Sequence, residues 1–135
     1  MTPNERALGL RWLQLHSHEY DLICWQHALT RPPVHFFQMG STVVAWPLVS
    51  WCLRPDFMAW SRGLITIGEV KRTLTVQVAA QLQRYQRVFM EDNRDAKIPK
   101  LFAIGSSVEP AAVDVFSRVG ILYDVYPDVR LIPNT

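Results

Sequence analysis

Apolar positions recur along this chain in two rhythms, and the places where the rhythm changes mark the elements. Near the N-terminus Leu8, Trp12 and Leu15 fall at helical spacing. Thr2 stands before Pro3, with Glu5 three residues after Thr2, which is a start signal for that helix. The pattern predicts a first helix ending between His16 and Glu19, then a further helical turn or two over residues 20–29, stopped by Arg31-Pro32-Pro33. A short strand is expected at 34–37 and a turn at Met39-Gly40-Ser41. Residues 42–53 are rich in Val, Trp and Leu and predict a strand bent or bulged at Pro47. A strand over 56–60, a hairpin signal at Ser61-Arg62-Gly63 and a strand over 64–70 follow. Leu64, Ile65 and Ile67 give that last strand the apolar character of a central position in a sheet.

From Thr73 to about Asn93 the rhythm is helical again. Leu74, Val78, Leu82, Tyr85 and Phe89 recur at steps of four and three, while Gln83, Arg84 and Arg87 face elsewhere. Pro99 closes a polar loop before a strand at 101–104. Ser106 or Ser107 is expected to cap a helix with a core face of Ala112, Val113 and Phe116, ending before Gly120. A strand at 121–125 follows, with a last short one expected at 129–132. The order predicts an α/β (α+β) single domain over 1–135, a mixed sheet of about four to six strands flanked by helices. Its N-terminal helical segment covers about residues 1–30 and its core about 34–135.

Composition narrows the class. A chain of 135 residues fits one domain, and 19% charged residues with 49% hydrophobic ones exclude disorder throughout. Its 2 cysteines, Cys24 and Cys52, sit among apolar neighbours and read as buried reduced thiols. A four-cysteine zinc or iron–sulfur site cannot be built from this chain alone. No signal peptide is legible, and the longest apolar stretch, 42–53, contains Pro47 and is too short for a bilayer. A cytoplasmic protein with no membrane partner is expected. The net charge of +2 is unevenly spread. Between Arg54 and Lys100, nine basic residues face five acidic ones, a balance of +4, against 0 before that stretch and −2 after it. A basic centre suits a polyanion, although a solvated face has the same composition.

The candidate chemistry lies in that centre. Glu69 and Lys71 are two residues apart at the end of one predicted strand and so share a face. Folding the hairpin about Arg62 sets Asp56 across from them. Two carboxylates and an ammonium then converge at one sheet end. Such a pair of carboxylates holds a hard divalent cation, Mg²⁺ or Mn²⁺, and the ammonium offsets charge on a phosphate. A same-face ion pair of Glu69 with Lys71 is the purely structural alternative.

Pro55-Asp56, twelve intervening residues, then Glu69-Val70-Lys71 resembles the motif of the PD-(D/E)XK nucleases. Gln81-Leu82-Gln83-Arg84-Tyr85 resembles the Q-x-x-x-Y motif of their RecB-like and NucS-like members, with Gln81 and Tyr85 one helical turn apart. The likeness runs from about Pro55 to Val125, and the first 50 residues do not share it. The resemblance implies a restriction-endonuclease-like fold and a metal-dependent nuclease acting on DNA, in repair, recombination or a phage or mobile element. It implies catalytic roles for Asp56, Glu69, Lys71, Gln81 and Tyr85, with the cation held by Asp56, Glu69 and the Val70 backbone carbonyl. Arg72, Arg84 and Arg87 are the implied nucleic-acid contacts. Glu5 resembles an acid on the first helix of archaeal Holliday-junction resolvases and is a further candidate ligand, as is Glu19, although Glu5 serves equally well in a capping box. His16, His18, His27 and His35 are candidates for an upstream histidine ligand. NucS-type proteins carry a separate N-terminal DNA-binding and dimerising domain, which is not read in this chain. Mismatch-directed cutting is therefore not carried over.

Two other functions stay open at this point. One is a non-catalytic nucleic-acid-binding or assembly subunit on the same fold. The other is a protein-binding domain, a homodimer or a subunit of a larger complex, using the apolar run of Trp46, Leu48, Val49 and Trp51.

Overall fold

A computed structural model describes residues 2–25, 34–39, 42–47 and 54–133, with 34–39 and 42–47 described by their backbone alone. The elements in chain order are α1 (Pro3–His16), a 3₁₀ turn (Ser17–Glu19), β1 (Leu22–Trp25), β2 (Val34–Met39), β3 (Thr42–Pro47), β4 (Phe57–Ser61) and β5 (Leu64–Val70). They continue with β6 (Thr73–Leu74), α2 (Val76–Asp92), β7 (Lys100–Gly105), β8 (Ser107–Val108), α3 (Pro110–Val119) and β9 (Ile121–Val125). Five strands form one sheet in the order β1-β4-β5-β7-β9. β1, β4 and β5 pair antiparallel; β5, β7 and β9 pair parallel. β5 is therefore the central strand, as its apolar run predicts, and joins the two halves of a mixed sheet.

Alternation along the strands sorts the core into two faces. Met58, Ile67, Leu101, Ala103 and Ile121 are buried with Leu82, Tyr85 and Phe89 of α2 and Phe116 of α3. Phe57, Ala59, Val70 and Ile104 are buried on the other face with Leu8 and Trp12 of α1. The parallel pairing of β5 with β7 needs a crossover, and α2 supplies it by covering the sheet on the way back.

The β4–β5 hairpin turns through Arg62 (φ 51°) and Gly63 (φ 78°), both left-handed. Two consecutive left-handed residues between the paired Ser61 and Leu64 make a tight turn that matches strand twist. Gly63 adopts this conformation freely, and the Arg62 N–H donates to the Asp21 carboxylate at 3.1 Å. Opposite Phe57, Gly68 has no room for a side chain. A Cβ there would stand 1.9 Å from the Phe57 ring, which is itself in tilted ring contact with both Trp12 and Trp25. Gly68→Ala is expected to lower stability by about 2–3 kcal/mol through forced repacking. Urea denaturation measures it, and an unchanged midpoint would contradict this packing.

Several elements differ from the sequence expectation, each for a visible reason. Residues 22–25 are a strand rather than part of a second helical turn. Leu22, Ile23, Cys24 and Trp25 pair with Trp60 to Phe57 of β4, and that pairing outweighs local preference. The α1 helix keeps Leu8 and Trp12 buried, but Leu15 is exposed, and in the last turn it is His16 that meets the sheet, at Phe102 and Asp124. The helix expected from Thr73 starts at Val76, since Thr73 and Leu74 are taken into a ladder with Ser107 and Val108. For the same reason neither Ser106 nor Ser107 caps α3. Glu109 occupies the cap position and Pro110 the first turn. Val113 is exposed, so the buried stripe of α3 is Ala112 and Phe116. Gly120 ends α3 in the left-handed region (φ 77°), as expected. Residues 129–132 form no strand, and Asn4 instead exchanges hydrogen bonds with the backbone of Ile132. β2 and β3 pair antiparallel in a two-stranded sheet of their own, and Thr42–Pro47 is the described part of the strand expected over 42–53. Residues 48–53, with Cys52 and the apolar run beyond Trp46, lie outside the described residues, as do the side chains of Trp46 and His35 and all of His27.

Candidate active site

The register Phe57↔Gly68, extended by one step, sets Asp56 opposite Glu69. Asp56 lies just before β4, and its Oδ2 accepts a hydrogen bond from the Val70 N–H at 2.7 Å. That bond holds the carboxylate against the end of β5. By alternation Asp56 and Glu69 share the face carrying Met58 and Ile67, which is the face covered by α2. The expected convergence of Asp56 and Glu69 is therefore present in the structure.

Glu69 is only 3% exposed, although a charged carboxylate is rarely buried without a partner. Its Oε2 has no hydrogen-bond partner among the described residues. Burial, then the adjacent Asp56 carboxyl, push the Glu69 carboxyl up to about 9, while Lys71 and the Tyr85 hydroxyl pull the other way. In the absence of a cation, burial and the neighbouring carboxyl thus favour a proton held within this pair at neutral pH. Two carboxylates in one low-dielectric site do not both ionise unless a positive charge joins them.

The α2 helix supplies the wall. Tyr85 is buried, and its hydroxyl accepts from Gln81 Nε2 at 2.7 Å and reaches the Arg54 carbonyl at 3.4 Å. Its ionisation is pushed well above the usual tyrosine range, first by burial and then by the nearby Glu69 carboxylate. It stays a neutral hydroxyl able to donate. Gln81 is half-buried beside it, at the spacing the motif implies. The Arg54 carbonyl is a partner that sequence reading missed, because a backbone group carries no residue signal.

Lys71 is half-exposed one residue beyond β5 and lies close enough to Glu69 to favour its charged form. Arg72, Arg84 and Arg87 are all exposed. The spacing of three from Arg84 to Arg87 makes these two neighbours on the surface of α2, whereas Arg72 precedes that helix.

Glu5 does not join the pair. Its side chain accepts from the Thr2 N–H at 3.1 Å while the Thr2 hydroxyl accepts from the Glu5 N–H at 3.2 Å, so it completes a capping box. It belongs to α1, which packs on the opposite face of the sheet from Glu69. Glu19 and His16 are bonded to each other, and His16 Nε2 is 2.8 Å from Asp124. They line a separate cavity of about 370 Å³ with Tyr20, Thr66 and Phe102, and none of Asp56, Glu69 or Tyr85 lines it. His18 is exposed. Among the described residues, no group of three or more His, Cys, Asp and Glu side chains is arranged to hold a metal. The donors that do fit a hard cation are Asp56 and Glu69, with the orphaned Oε2 as the atom most in need of one.

No family model matches the chain, and no curated protein matches it. Solved structures do. A repair endonuclease from Pyrococcus abyssi is similar with a TM-score of 0.55 and 12% identity, over 93% of this chain and 47% of that one. EndoMS in complex with double-stranded DNA is similar at 0.46 and 17% identity, over 100% of this chain and 48% of its own. A protein of unknown function matches at 0.46 and 14%, over 93% of this chain and 59% of its own. The chain thus spans about half the length of the first two of these structures. Among the described residues, no helix is long and apolar enough to cross a membrane. With its five-stranded mixed sheet, its helices on both faces and its likeness to the repair endonuclease, the chain has the restriction-endonuclease-like fold that the NucS-like PD-(D/E)XK resemblance implies.

Proposed function

We propose that this chain hydrolyses phosphodiester bonds in DNA with the help of Mg²⁺ or Mn²⁺. The observation that carries the reading is the Asp56–Glu69 pair at a strand end, in which Glu69 is buried with one carboxylate oxygen unsatisfied and Asp56 is half-buried beside it. Retaining such a group costs stability, and a cation-binding role accounts for keeping it. A repair endonuclease among the structures that share the fold supports the substrate class.

Asp56, Glu69 and the Val70 carbonyl are the oxygens that would hold the cation, whose chemistry there is to polarise a phosphoryl oxygen and acidify a water. Lys71, on the same side as Glu69, orients the attacking water and offsets negative charge as the P–O bond breaks. Tyr85 orients the Glu69 carboxylate, and Gln81 holds the tyrosine hydroxyl in place. Arg72, Arg84 and Arg87 bind the phosphate backbone, which makes affinity fall with salt.

Labelled single-stranded, duplex, flap and four-way-junction DNA incubated with Mg²⁺, Mn²⁺ or EDTA, beside the Glu69→Ala protein, tests the proposal. Metal-dependent cutting that the variant lacks is the expected result. Retained binding with no cutting of any substrate would sink it in favour of an inert binding module. The helix face has its own test. Tyr85→Phe and Gln81→Ala should each lower kcat about three- to tenfold, the worth of one hydrogen bond. The double variant should lose no more than the worse single one, because both act on Glu69 in series. Additive losses in single-turnover kinetics would instead give Gln81 a contact of its own.

A further inference from the structure

Lys71 stands one residue past the end of β5, where strand pairing alone no longer fixes it. The neighbouring β4 starts at Phe57, opposite Gly68, and gives Lys71 no strand partner. Its backbone is held from the other side, by the corner that follows β7. The Lys71 N–H donates to the Ile104 carbonyl at 2.9 Å. The Arg72 carbonyl accepts from the N–H groups of Ser106 and Ser107 at 2.9 and 3.3 Å. Between these two attachments lies Gly105, which is buried.

A Cβ on Gly105 would stand 3.0 Å from the Lys71 carbonyl oxygen and 2.7 Å from Leu74 Cγ. Gly105 has no positive φ, so the glycine is required here by space and not by backbone conformation. Nor is the corner free to retreat, because the Gly105 carbonyl accepts from the Tyr126 N–H at 2.8 Å on its far side. An added methyl group must therefore displace the Lys71–Leu74 segment. Resting on the nuclease reading of this site, we propose that Gly105 is a positioning residue for Lys71, whose close approach to the Lys71 carbonyl sets where the ammonium stands relative to Glu69.

The test compares Gly105→Ala, Leu74→Ala and the double variant. Leu74→Ala removes the side chain nearest the new methyl but leaves the Lys71 carbonyl contact in place. Gly105→Ala is expected to lower kcat about tenfold, the scale of a displacement of a few tenths of an ångström in a catalytic group, with KM for DNA unchanged. The double variant should recover melting temperature relative to Gly105→Ala while kcat stays low. Recovery of kcat together with stability would overturn the proposal, since the loss would then be one of packing against Leu74.

A readout independent of cleavage accompanies this. The chain has only the lysines Lys71, Lys97 and Lys100, so reductive ¹³C-methylation gives few signals, and Lys71→Arg assigns one. In Gly105→Ala the Lys71 signal should move and the other two should not. If the unaltered protein cuts no substrate, the nuclease reading fails while this shift still decides the positioning. A Lys71 signal left in place overturns the positioning even in an active enzyme.

Discussion

Lys71→Ala is expected to reduce DNA cleavage at least about a hundredfold while shifting the melting temperature by no more than about 2 °C. The first figure is the usual cost of removing one group that stabilises charge developing in a transition state. The second follows from where the side chain sits. Lys71 is half-exposed, and what ties it to the fold is its backbone N–H on the Ile104 carbonyl, which alanine retains. Exposed or half-exposed substitutions of this kind stay within about 0.5 kcal/mol, or a degree or two for a domain this size. Removing the ammonium also removes an interaction that favours ionised Glu69. Cleavage by the variant should therefore respond more to raised pH than cleavage by the parent protein. Wild-type rates in the variant would show that the ammonium is not part of the site.

Glu69→Gln should stabilise the cation-free protein, and increasingly so as pH rises. Glu69 ionises near 4.5 in the unfolded chain and near 9 in the folded one, chiefly because of burial and the Asp56 carboxyl beside it. Between those values the folded state binds the extra proton. Stability from this group is thus fully present below pH 4.5, erodes as pH rises and is gone above about 9. The slope reaches about 1.4 kcal/mol per pH unit for a single proton. Glutamine has the same shape, keeps a donor for Asp56 and does not ionise. In EDTA, urea denaturation from pH 5 to 9 should show a falling stability for the parent protein and a flatter line for Glu69→Gln. Parallel lines would mean that Glu69 is not the proton-binding group. Added Mg²⁺ should reverse the order, stabilising the parent protein more at pH 8 than at pH 6, because cation and proton compete for the same oxygens. A Mg²⁺ effect equal in the variant would place the cation elsewhere.

The sequence carried the central architecture because its strongest signals were local. The run Leu64–Val70, the Ser61-Arg62-Gly63 turn and the four-and-three spacing down α2 survive in the structure with small changes at their ends. The juxtaposition of Asp56 with Glu69 was legible for the same reason, as a hairpin fixes register by its turn. What was illegible depends on partners distant in sequence. β1 is a strand only because β4 is there to pair with it. Ser106 and Ser107 look like caps until the Arg72 carbonyl claims their N–H groups. Glu5 satisfies both a capping-box and a metal-ligand pattern, and only the packing of α1 on the far face separates them. The importance of Gly105 lies in a neighbour's carbonyl, and Ile104-Gly105-Ser106 by itself reads as an ordinary loop entry.

The mixed sheet also predicts an order in which its parts are expected to form. Asp56 and Val70, bonded across the hairpin, are 14 residues apart, whereas the β6–β8 ladder beside Lys71 joins Thr73 and Ser107 over 34. Closing the longer loop costs about 0.8 kcal/mol more in chain entropy, and its strands must also wait for α2 to bridge them. The two carboxylates are thus the early acquaintances of the folding chain and the lysine the late arrival. A half-built molecule would then bring the two carboxyl groups together before Lys71 is fixed beside them.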